Sequence, residues 1–129
     1  MAYPDMLSLK GQSALVTGAS SGIGRAVAVA LAEAGADVAV NYHGSREGAE
    51  RTVEMIHALG GTAVAIRADV ASESDVKALY DTAEQALGPL DIVVSNAGRQ
   101  KDAAIGDMSL DAWNAVISTN LTGAFLVGR

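Results

Sequence analysis

The sequence TGASSGIG, residues 17–24, joins a short apolar run to an amphipathic stretch with helical spacing. It places three glycines in seven residues, in the pattern Gly-x-x-x-Gly-x-Gly. Glycine lets the backbone turn sharply and approach a ligand closely, and free N–H groups at a helix start attract phosphate. We therefore predict a strand-to-helix turn that holds a phosphate group; a glycine-rich turn that binds nothing is the alternative. The residues assigned to this site are Gly18, Ser20, Ser21, Gly22, Ile23 and Gly24.

Strand-like runs alternate with helical stripes along the rest of the chain. Each run is short, continuous and rich in Val, Ile and Ala, as strands buried on both faces are. Alternating strands and helices of this length predict an α/β fold, a doubly wound parallel sheet of the Rossmann type with right-handed crossovers. The chain ends after about four β-α units, so we expect one domain with a truncated form of this fold. The predicted strands are residues 13–17, 37–41, 62–68 and 90–95.

Glycines and cap residues mark the ends of the predicted helices. Gly35 and Gly60 stand where the first two helices should stop, because glycine is common just past a helix C-terminus. Ser72 is expected to cap the third helix, with Asp75 three residues later as an acidic variant of a capping box. Ser109 is expected to cap the fourth helix. These boundaries agree with those predicted from the apolar spacing.

The composition excludes several classes of protein. Of 129 residues, 50% are hydrophobic and 19% charged, and nine Lys and Arg stand against fifteen Asp and Glu, a net charge of −6. This balance argues against nonspecific binding to nucleic acid or to an anionic membrane. The sequence contains no long apolar run, no signal peptide and no cysteine. We therefore expect a cytoplasmic protein that has neither disulfides nor thiolate catalysis. His43 and His57 lack the spacing of metal ligands, so no metal site is expected.

Further polar residues follow the third and fourth predicted strands. Asp69-Val70 comes directly after the third strand, and Asn96-Ala97-Gly98 comes after the fourth. The carboxyl ends of parallel strands share one edge of the sheet, which is where such sheets bind ligands. Ordinary turns at both places are the alternative. Asn120 lies on the apolar stripe of the last helix, where a polar side chain needs a hydrogen-bond partner, so a buried and structurally satisfied asparagine is one interpretation.

Taken in order along the chain, these motifs resemble those of the short-chain dehydrogenase/reductase family. Residues 108–114 and 119–126, MSLDAWN and TNLTGAFL, are most similar to the glucose 1-dehydrogenase subgroup, although 3-oxoacyl-acyl-carrier-protein reductases share much of this pattern. The resemblance implies that residues 1–129 are the N-terminal, dinucleotide-binding part of such an enzyme. It implies that Asp69 accepts a hydrogen bond from the adenine amino group and that Val70 packs on the ring. It also implies that Asn120 is a catalytic residue, which helps to position a water connected to the catalytic lysine.

The end of the second strand bears on the choice of cofactor. An NAD-selective site usually has Asp or Glu there, which accepts from the ribose 2′-hydroxyl. This chain has Asn41 and Tyr42 instead, and Asp37 stands at the opposite end of the strand. Without the acid a 2′-phosphate is not repelled, and Arg46 can pair with it; a solvated Arg46 that merely opens a helix is the alternative. NADP is therefore the expected cofactor, with NAD tolerated.

The resemblance implies hydride transfer between the nicotinamide and a small-molecule substrate, a sugar or a secondary alcohol. The family moves the substrate's proton with a Ser, a Tyr and a Lys four residues after the Tyr. None of the tyrosines, Tyr3, Tyr42 and Tyr80, has a lysine four residues later, so this chain alone is expected to be inactive. A 3-oxoacyl-acyl-carrier-protein reductase-like enzyme and a non-catalytic dinucleotide-binding module are the alternatives.

The fourth predicted strand is apolar on both faces, because Leu90, Ile92, Val93 and Val94 are all hydrophobic. The resemblance places strands three, two and one in that order on one side of it and a fifth strand on the other. The chain ends before a fifth strand, so the fourth is expected to have an open edge, which invites pairing with another chain. The resemblance also implies a homo-oligomer.

Overall fold

A computed structural model describes residues 5–129 of the chain. These residues form one parallel sheet in the order β3-β2-β1-β4, with helices on both faces. The strands are β1 (Ser13–Val16), β2 (Asp37–Tyr42), β3 (Ala63–Arg67) and β4 (Ile92–Val94). The helices are α1 (Gly22–Glu33), α2 (Arg46–Ala58), α3 (Glu73–Leu87), α4 (Leu110–Val116) and α5 (Gly123–Gly128). A 3₁₀ turn, Asp5–Leu7, precedes β1, and a π-helical segment, Ile117–Thr122, joins α4 to α5.

The predicted α/β class and the doubly wound parallel sheet are confirmed. β1 lies between β2 and β4, and β2 pairs with β3, all in parallel register. The strand limits predicted from the sequence differ from the observed ones by no more than about two residues at either end. Short strands rich in Val and Ala suit this position because both faces of the sheet are covered by helices.

Two apolar cores lie on opposite faces of the sheet. Val16 and Val40 face α1 and α2, where they pack in one cluster with Ile56. Successive side chains along a strand point to opposite faces, and Leu15 accordingly packs with Leu79 of α3 on the other side. The two cores hold the strands in register and so fix the positions of the loops at their carboxyl ends.

Three of the predicted helix boundaries are confirmed by backbone and cap geometry. Gly35 and Gly60 have φ angles of +108° and +81°, and they follow the ends of α1 and α2. The hydroxyl of Ser109 accepts a hydrogen bond from the N–H of Ala112 at 3.1 Å. This bond satisfies one of the free donors at the start of α4.

The predicted capping box at the start of α3 forms only in part. The hydroxyl of Ser72 accepts from the N–H of Asp75 at 3.3 Å, as expected. The carboxylate of Asp75 does not return to Ser72; it accepts from the N–H of Asp69 at 2.8 Å. Asp75 therefore connects α3 to the loop that follows β3 instead of closing the box.

The last predicted helix is not one continuous α-helix. A π-helical segment holds more residues per turn than an α-helix, and here it interrupts the stripe at Ile117–Thr122. Asn120 lies within this segment and is exposed. The expectation that Asn120 is buried is therefore wrong. None of the helices in the described part of the chain is long and apolar enough to cross a membrane.

β4 lies at the edge of the sheet formed by residues 5–129. It pairs with β1 and, among these residues, with no other strand. It comprises three residues, fewer than predicted, and Val93 at its centre is 42% exposed. Within the described chain β4 therefore has the open edge that the sequence predicts.

Leu79 provides a test of the core between the sheet and α3. Its side chain is 1% exposed and packs in the cluster that contains Leu15. We expect Leu79→Ala to lower the free energy of unfolding by about 2–5 kcal/mol, because it removes buried methyl groups and leaves a cavity. Urea denaturation followed by circular dichroism measures the change. Lys77→Ala, at an exposed position of the same helix, should change this free energy by less than about 0.5 kcal/mol; equal losses would contradict the assignment of Leu79 to the core.

Candidate functional site

The turn between β1 and α1 needs glycine for two different reasons. Gly18 and Gly22 have φ angles of +62° and +57°, in the left-handed region that favours glycine. Gly24 lies in the first turn of α1 against the carbonyl of Gly18, and a Cβ there would be 2.3 Å from that oxygen. A Cβ on Gly18 would be 2.8 Å from the Cα of Ala97. The glycines therefore both turn the chain and let three backbone segments meet.

Backbone N–H groups at the start of α1 lack acceptors. Within the described part of the chain, the N–H groups of Ser20, Ser21, Gly22 and Ile23 donate to no other group of the protein. Ser21 is the N-cap residue, yet its hydroxyl makes no capping hydrogen bond. Free N–H groups and the positive end of a 12-residue helix attract an anion. The turn therefore offers a set of backbone donors to a phosphate group.

A cleft of about 330 Å³ opens beside this turn, at the carboxyl ends of the strands. In parallel α/β sheets this edge is where ligands bind. The structure brings together there the predicted residues Gly18, Ser20, Ser21, Asn41, Asp69, Val70, Asn96, Ala97 and Gly98. Residues that were not predicted also line the cleft: His43, Gly44, Ala68, Arg99 and Thr119. The signal that could have identified His43 and Gly44 is their position directly after β2, at the same edge of the sheet.

Some predicted site residues do not line the cleft: Gly22, Ile23, Gly24, Tyr42, Arg46 and Asn120. Tyr42 packs in the core on the α1 and α2 side, because it alternates with Asn41 along β2. Arg46 begins α2, and its Nε donates to Oε1 of Glu50 at 3.0 Å. This hydrogen bond raises the pKa of the Arg46 guanidinium, and the side chain is 78% exposed. The structure therefore places neither Tyr42 nor Arg46 in the cleft.

Asn41 reaches the wall of the cleft but is almost completely buried, at 1% exposed. Its Oδ1 accepts from the N–H of Gly18 at 3.1 Å. Its Nδ2 lies within 3.2–3.3 Å of the carbonyl oxygens of Tyr42, Ile66 and Ala68, to which it donates. The amide that the sequence assigns to the cofactor is thus turned into the protein, where it ties the turn after β1 to the end of β3.

Thr17 and Asn96 fix the motif after β4 to the glycine-rich turn. The hydroxyl of Thr17 accepts from the N–H groups of Asn96 at 2.9 Å and of Ala97 at 3.0 Å. The Nδ2 of Asn96 donates to the carbonyls of Thr17 and Gly18, each at 3.1 Å. Two motifs about 80 residues apart in sequence therefore form one hydrogen-bonded unit.

A partly buried arginine supports the turn from the α2 side. The Nη2 of Arg25 donates to the carbonyls of Ser20 at 2.7 Å and of Gly48 at 3.1 Å, and its Nε donates to the hydroxyl of Thr52 at 3.0 Å. All three acceptors are neutral, and among the described residues no carboxylate lies within ion-pair distance of Arg25. Its positive charge therefore adds to that of the nearby helix N-terminus. Arg25 was not predicted as a site residue, because position 25 belongs to no motif.

Asp69 lies between a turn and the cleft. Its Oδ1 accepts from the N–H of Ala71 at 3.0 Å, and its Oδ2 lies 3.9 Å from the Nε2 of His43. The side chain is 37% exposed, so the carboxylate remains accessible to a donor in the cleft. Residues 5–129 contain no group of three or more His, Asp or Glu arranged to hold a metal ion.

Asn120 binds both backbone groups of Arg99. Its Oδ1 accepts from the N–H of Arg99 at 2.7 Å, and its Nδ2 donates to the carbonyl of Arg99 at 2.9 Å. Gly98 lies beside this pair, since a Cβ there would be 3.5 Å from the Oδ1 of Asn120. Asn120 therefore holds the loop after β4 against the π-helical segment, while its neighbour Thr119 lines the cleft.

Comparisons with known proteins agree with this architecture. Residues 12–129 match the family model of short chain dehydrogenases. Glucose 1-dehydrogenase 2 of Bacillus subtilis (strain 168) is 44% identical over 119 residues, which is 92% of this chain and 46% of that protein. The 3-oxoacyl-[acyl-carrier-protein] reductase FabG of Staphylococcus aureus (strain N315) is 50% identical over 114 residues, 88% of this chain and 46% of that one. The chain spans about half the length of the curated relatives it matches.

Solved structures show the same fold. A short-chain type dehydrogenase/reductase from Mycobacterium marinum matches with a TM-score of 0.92 at 41% identity, over 99% of this chain and 51% of that one. A dehydrogenase/reductase from Sinorhizobium meliloti 1021 matches with a TM-score of 0.91 at 38% identity, over 94% of this chain and 48% of that one. The predicted resemblance is confirmed, including the correspondence to about half of such proteins.

Gly24 and Gly44 form a matched pair for testing the close approach at the turn. We expect Gly24→Ala to lower the free energy of unfolding by about 1–3 kcal/mol, because its methyl group would lie 2.3 Å from the Gly18 carbonyl oxygen and 2.5 Å from the Nδ2 of Asn96. Gly44→Ala meets nothing within 4 Å and should change this free energy by less than about 0.5 kcal/mol. Urea denaturation of both variants measures the difference. Equal stabilities would show that α1 does not start as close to β1 as described.

Proposed function

The chain belongs to the short-chain dehydrogenase family, and from this membership we propose that residues 1–129 form the dinucleotide-binding domain of an NAD(P)-dependent oxidoreductase. The observation that carries the proposal is the set of unpaired N–H groups at the start of α1, beside a cleft at the carboxyl ends of the strands. A bound dinucleotide would supply the nicotinamide that accepts or donates the hydride. The residues of this chain would bind and orient it.

We assign the parts of the dinucleotide to the segments that line the cleft. The pyrophosphate would bind over residues 20–24, where the free N–H groups are. Adenine would bind at Asp69 and Val70, because the Asp69 carboxylate is accessible there and Val70 offers an apolar contact. Residues 96–98 would line the path toward the nicotinamide. In the complete enzyme Asn120 would help to position a water connected to the catalytic lysine; in this chain its side chain also holds the loop after β4 at Arg99.

We propose NADP as the preferred cofactor, with NAD tolerated. No carboxylate at the end of β2 would repel a 2′-phosphate, because Asn41 is neutral and its amide is already hydrogen-bonded. The guanidinium of Arg46 lies near this end, although it would first have to leave Glu50, and the imidazole of His43 lines the cleft. The unneutralised charge of Arg25 beneath the turn favours an anionic ligand as well.

For the complete enzyme we propose a sugar or a secondary alcohol as the substrate, in a glucose 1-dehydrogenase-like reaction. The similarity to glucose 1-dehydrogenase 2 supports this choice. A 3-oxoacyl-acyl-carrier-protein reductase-like activity is the second candidate, because the relative of that name is 50% identical over the region it shares with this chain. A non-catalytic dinucleotide-binding module is the third, since no tyrosine of this chain has a lysine four residues later.

We further propose a cytoplasmic protein that forms homo-oligomers. The lack of cysteine is consistent with the cytoplasm. The exposed side chains of Trp113 and Phe125 favour association with a second chain. Size-exclusion chromatography with light scattering determines the oligomeric state.

Calorimetric titration with NADP tests the proposed cofactor site. The wild-type chain should bind NADP more tightly than NAD. Gly18→Val should abolish binding while the helical circular dichroism signal is retained, because valine is strained at φ +62° and its Cβ would press on the backbone of Ala97. Gly106→Ala, in an open loop position, is the control and should bind as the wild type does. Unchanged NADP affinity in Gly18→Val would overturn the assignment of the phosphate to this turn.

A turnover assay tests the prediction that the 129-residue chain binds without catalysing. General acid–base catalysis is typically worth about 10²–10⁴-fold in rate, and this chain lacks a tyrosine and lysine at the required spacing. With glucose and NADP we expect no rise in NADPH absorbance above the enzyme-free rate. Steady formation of NADPH by the purified chain would contradict this prediction.

A further inference from the structure

Asn41 has a polar side chain that offers almost no exposed surface to a ligand. It is 1% exposed, although it belongs to the wall of the cleft. Its Oδ1 accepts from Gly18, and its Nδ2 faces the carbonyl oxygens of Tyr42, Ile66 and Ala68. An amide NH₂ group has two hydrogens to donate, so three nearby carbonyls already exceed its capacity. The NH₂ group is therefore fully used by the protein, and the Oδ1 is held by the N–H of Gly18.

The groups that Asn41 joins belong to two different parts of the cleft. Gly18 is the first glycine of the phosphate-binding turn, and Ala68 directly precedes Asp69 and Val70. The backbone carbonyl of Asn41 also accepts from the N–H of Ala19 at 2.8 Å. One residue of β2 thus sets the distance between the turn after β1 and the loop after β3.

We infer that Asn41 is a positioning residue, which sets the affinity for the adenosine half of the dinucleotide whether or not a 2′-phosphate is present. This inference rests on the proposed function, because it takes the phosphate and adenine to bind at these two segments. It differs from the expectation drawn from the sequence, in which Asn41 belongs to the cofactor site and bears on the choice between NADP and NAD because it is not an acid. In the structure the side chain is buried and donates to the backbone of the protein instead.

A carboxylate cannot replace the amide at this position. Aspartate has the same shape as asparagine, and at a strand end an acidic residue often accepts from a ribose 2′-hydroxyl. At position 41, however, an ionised carboxylate would place an acceptor against the carbonyl oxygens of Ile66 and Ala68, which are 3.2–3.3 Å from the present Nδ2. A buried acceptor that faces other acceptors, and a buried charge without a partner, are both costly. Asn41→Asp should therefore weaken NAD binding, not favour it.

The experiment compares NAD and NADP affinity in the full chain by calorimetric titration. We expect Asn41→Asp to raise both dissociation constants by about tenfold or more and by the same factor, the equivalent of at least about 1.4 kcal/mol each. NAD affinity equal to or greater than that of the wild type, with NADP affinity reduced, would overturn the inference. That result would mean that position 41 reads the 2′ substituent directly.

Two control variants separate positioning from general effects. Asn114→Asp makes the same chemical change at an exposed position of α4, and it should leave both dissociation constants within about twofold. Ile56→Val removes a buried methyl group far along α2 and destabilises the fold without changing the cleft, so it too should leave them within about twofold. If Ile56→Val weakens binding as much as Asn41→Asp does at comparable loss of stability, the positioning role is overturned.

Hydrogen exchange on the wild-type chain keeps the inference testable even if Asn41→Asp does not fold. The backbone amide of Gly18 and the side-chain amide of Asn41 should exchange slowly in the free protein, whereas the amides of Ser21 and Gly22 should exchange fast until a dinucleotide binds. Fast exchange at Gly18 and Asn41 would overturn the inference. A wild-type chain that binds neither dinucleotide would instead overturn the proposed function, and the binding titration distinguishes these two failures.

Discussion

The site depends on one close contact between backbone segments, at the point where α1 starts beside the end of β1. Gly24 lies so near the carbonyl of Gly18 that a Cβ would be 2.3 Å from its oxygen. Asn96 occupies the same region and donates to that carbonyl. Because no side chain fits there, β1, α1 and the segment after β4 meet at van der Waals distance. Everything else in the cleft is positioned relative to this contact.

Polar side chains of the interior hold the loops around this contact. Thr17 joins it to the segment after β4, Asn41 joins it to the end of β3, and Arg25 joins it to α2. In each case a side chain bonds to backbone groups of another segment, and no buried polar side-chain atom in the described residues lacks a partner. A cleft held in this way is shaped before any ligand arrives, which lowers the entropy cost of binding.

The fold could be predicted from the sequence because it depends on local signals. Apolar spacing and the glycines at positions 35 and 60 identify the elements, and the turn at 17–24 sets the class. The direction of individual side chains could not be predicted in the same way. Asn41 turns inward because the carbonyls of Ile66 and Ala68 accept from it, and these residues, at the end of β3 and just after it, are about 25 residues away in sequence.

The π-helical segment and the ion pair of Arg46 also lay beyond prediction. The apolar stripe from Trp113 to Ala124 has acceptable α-helical spacing, so the sequence shows no sign of the wider turn at Ile117–Thr122. Arg46 and Glu50 are four residues apart on an exposed helix face, and their pairing competes with any ligand. The spacing of four residues allows this pair, but it does not decide whether Arg46 bonds to Glu50 or to a ligand.

The bond between Asn120 and Arg99 has a consequence for how this region can change in evolution. Asn120 presents a donor and an acceptor to both backbone groups of Arg99, as a neighbouring β-strand would. Deleting one residue from Ile117–Thr122 would remove the wide turn from which Asn120 reaches Arg99. The loop between β4 and α4 has no such constraint in its middle part, where Gly106 has open space around it. Insertions and deletions should therefore accumulate in that loop and be absent from the π-helical segment.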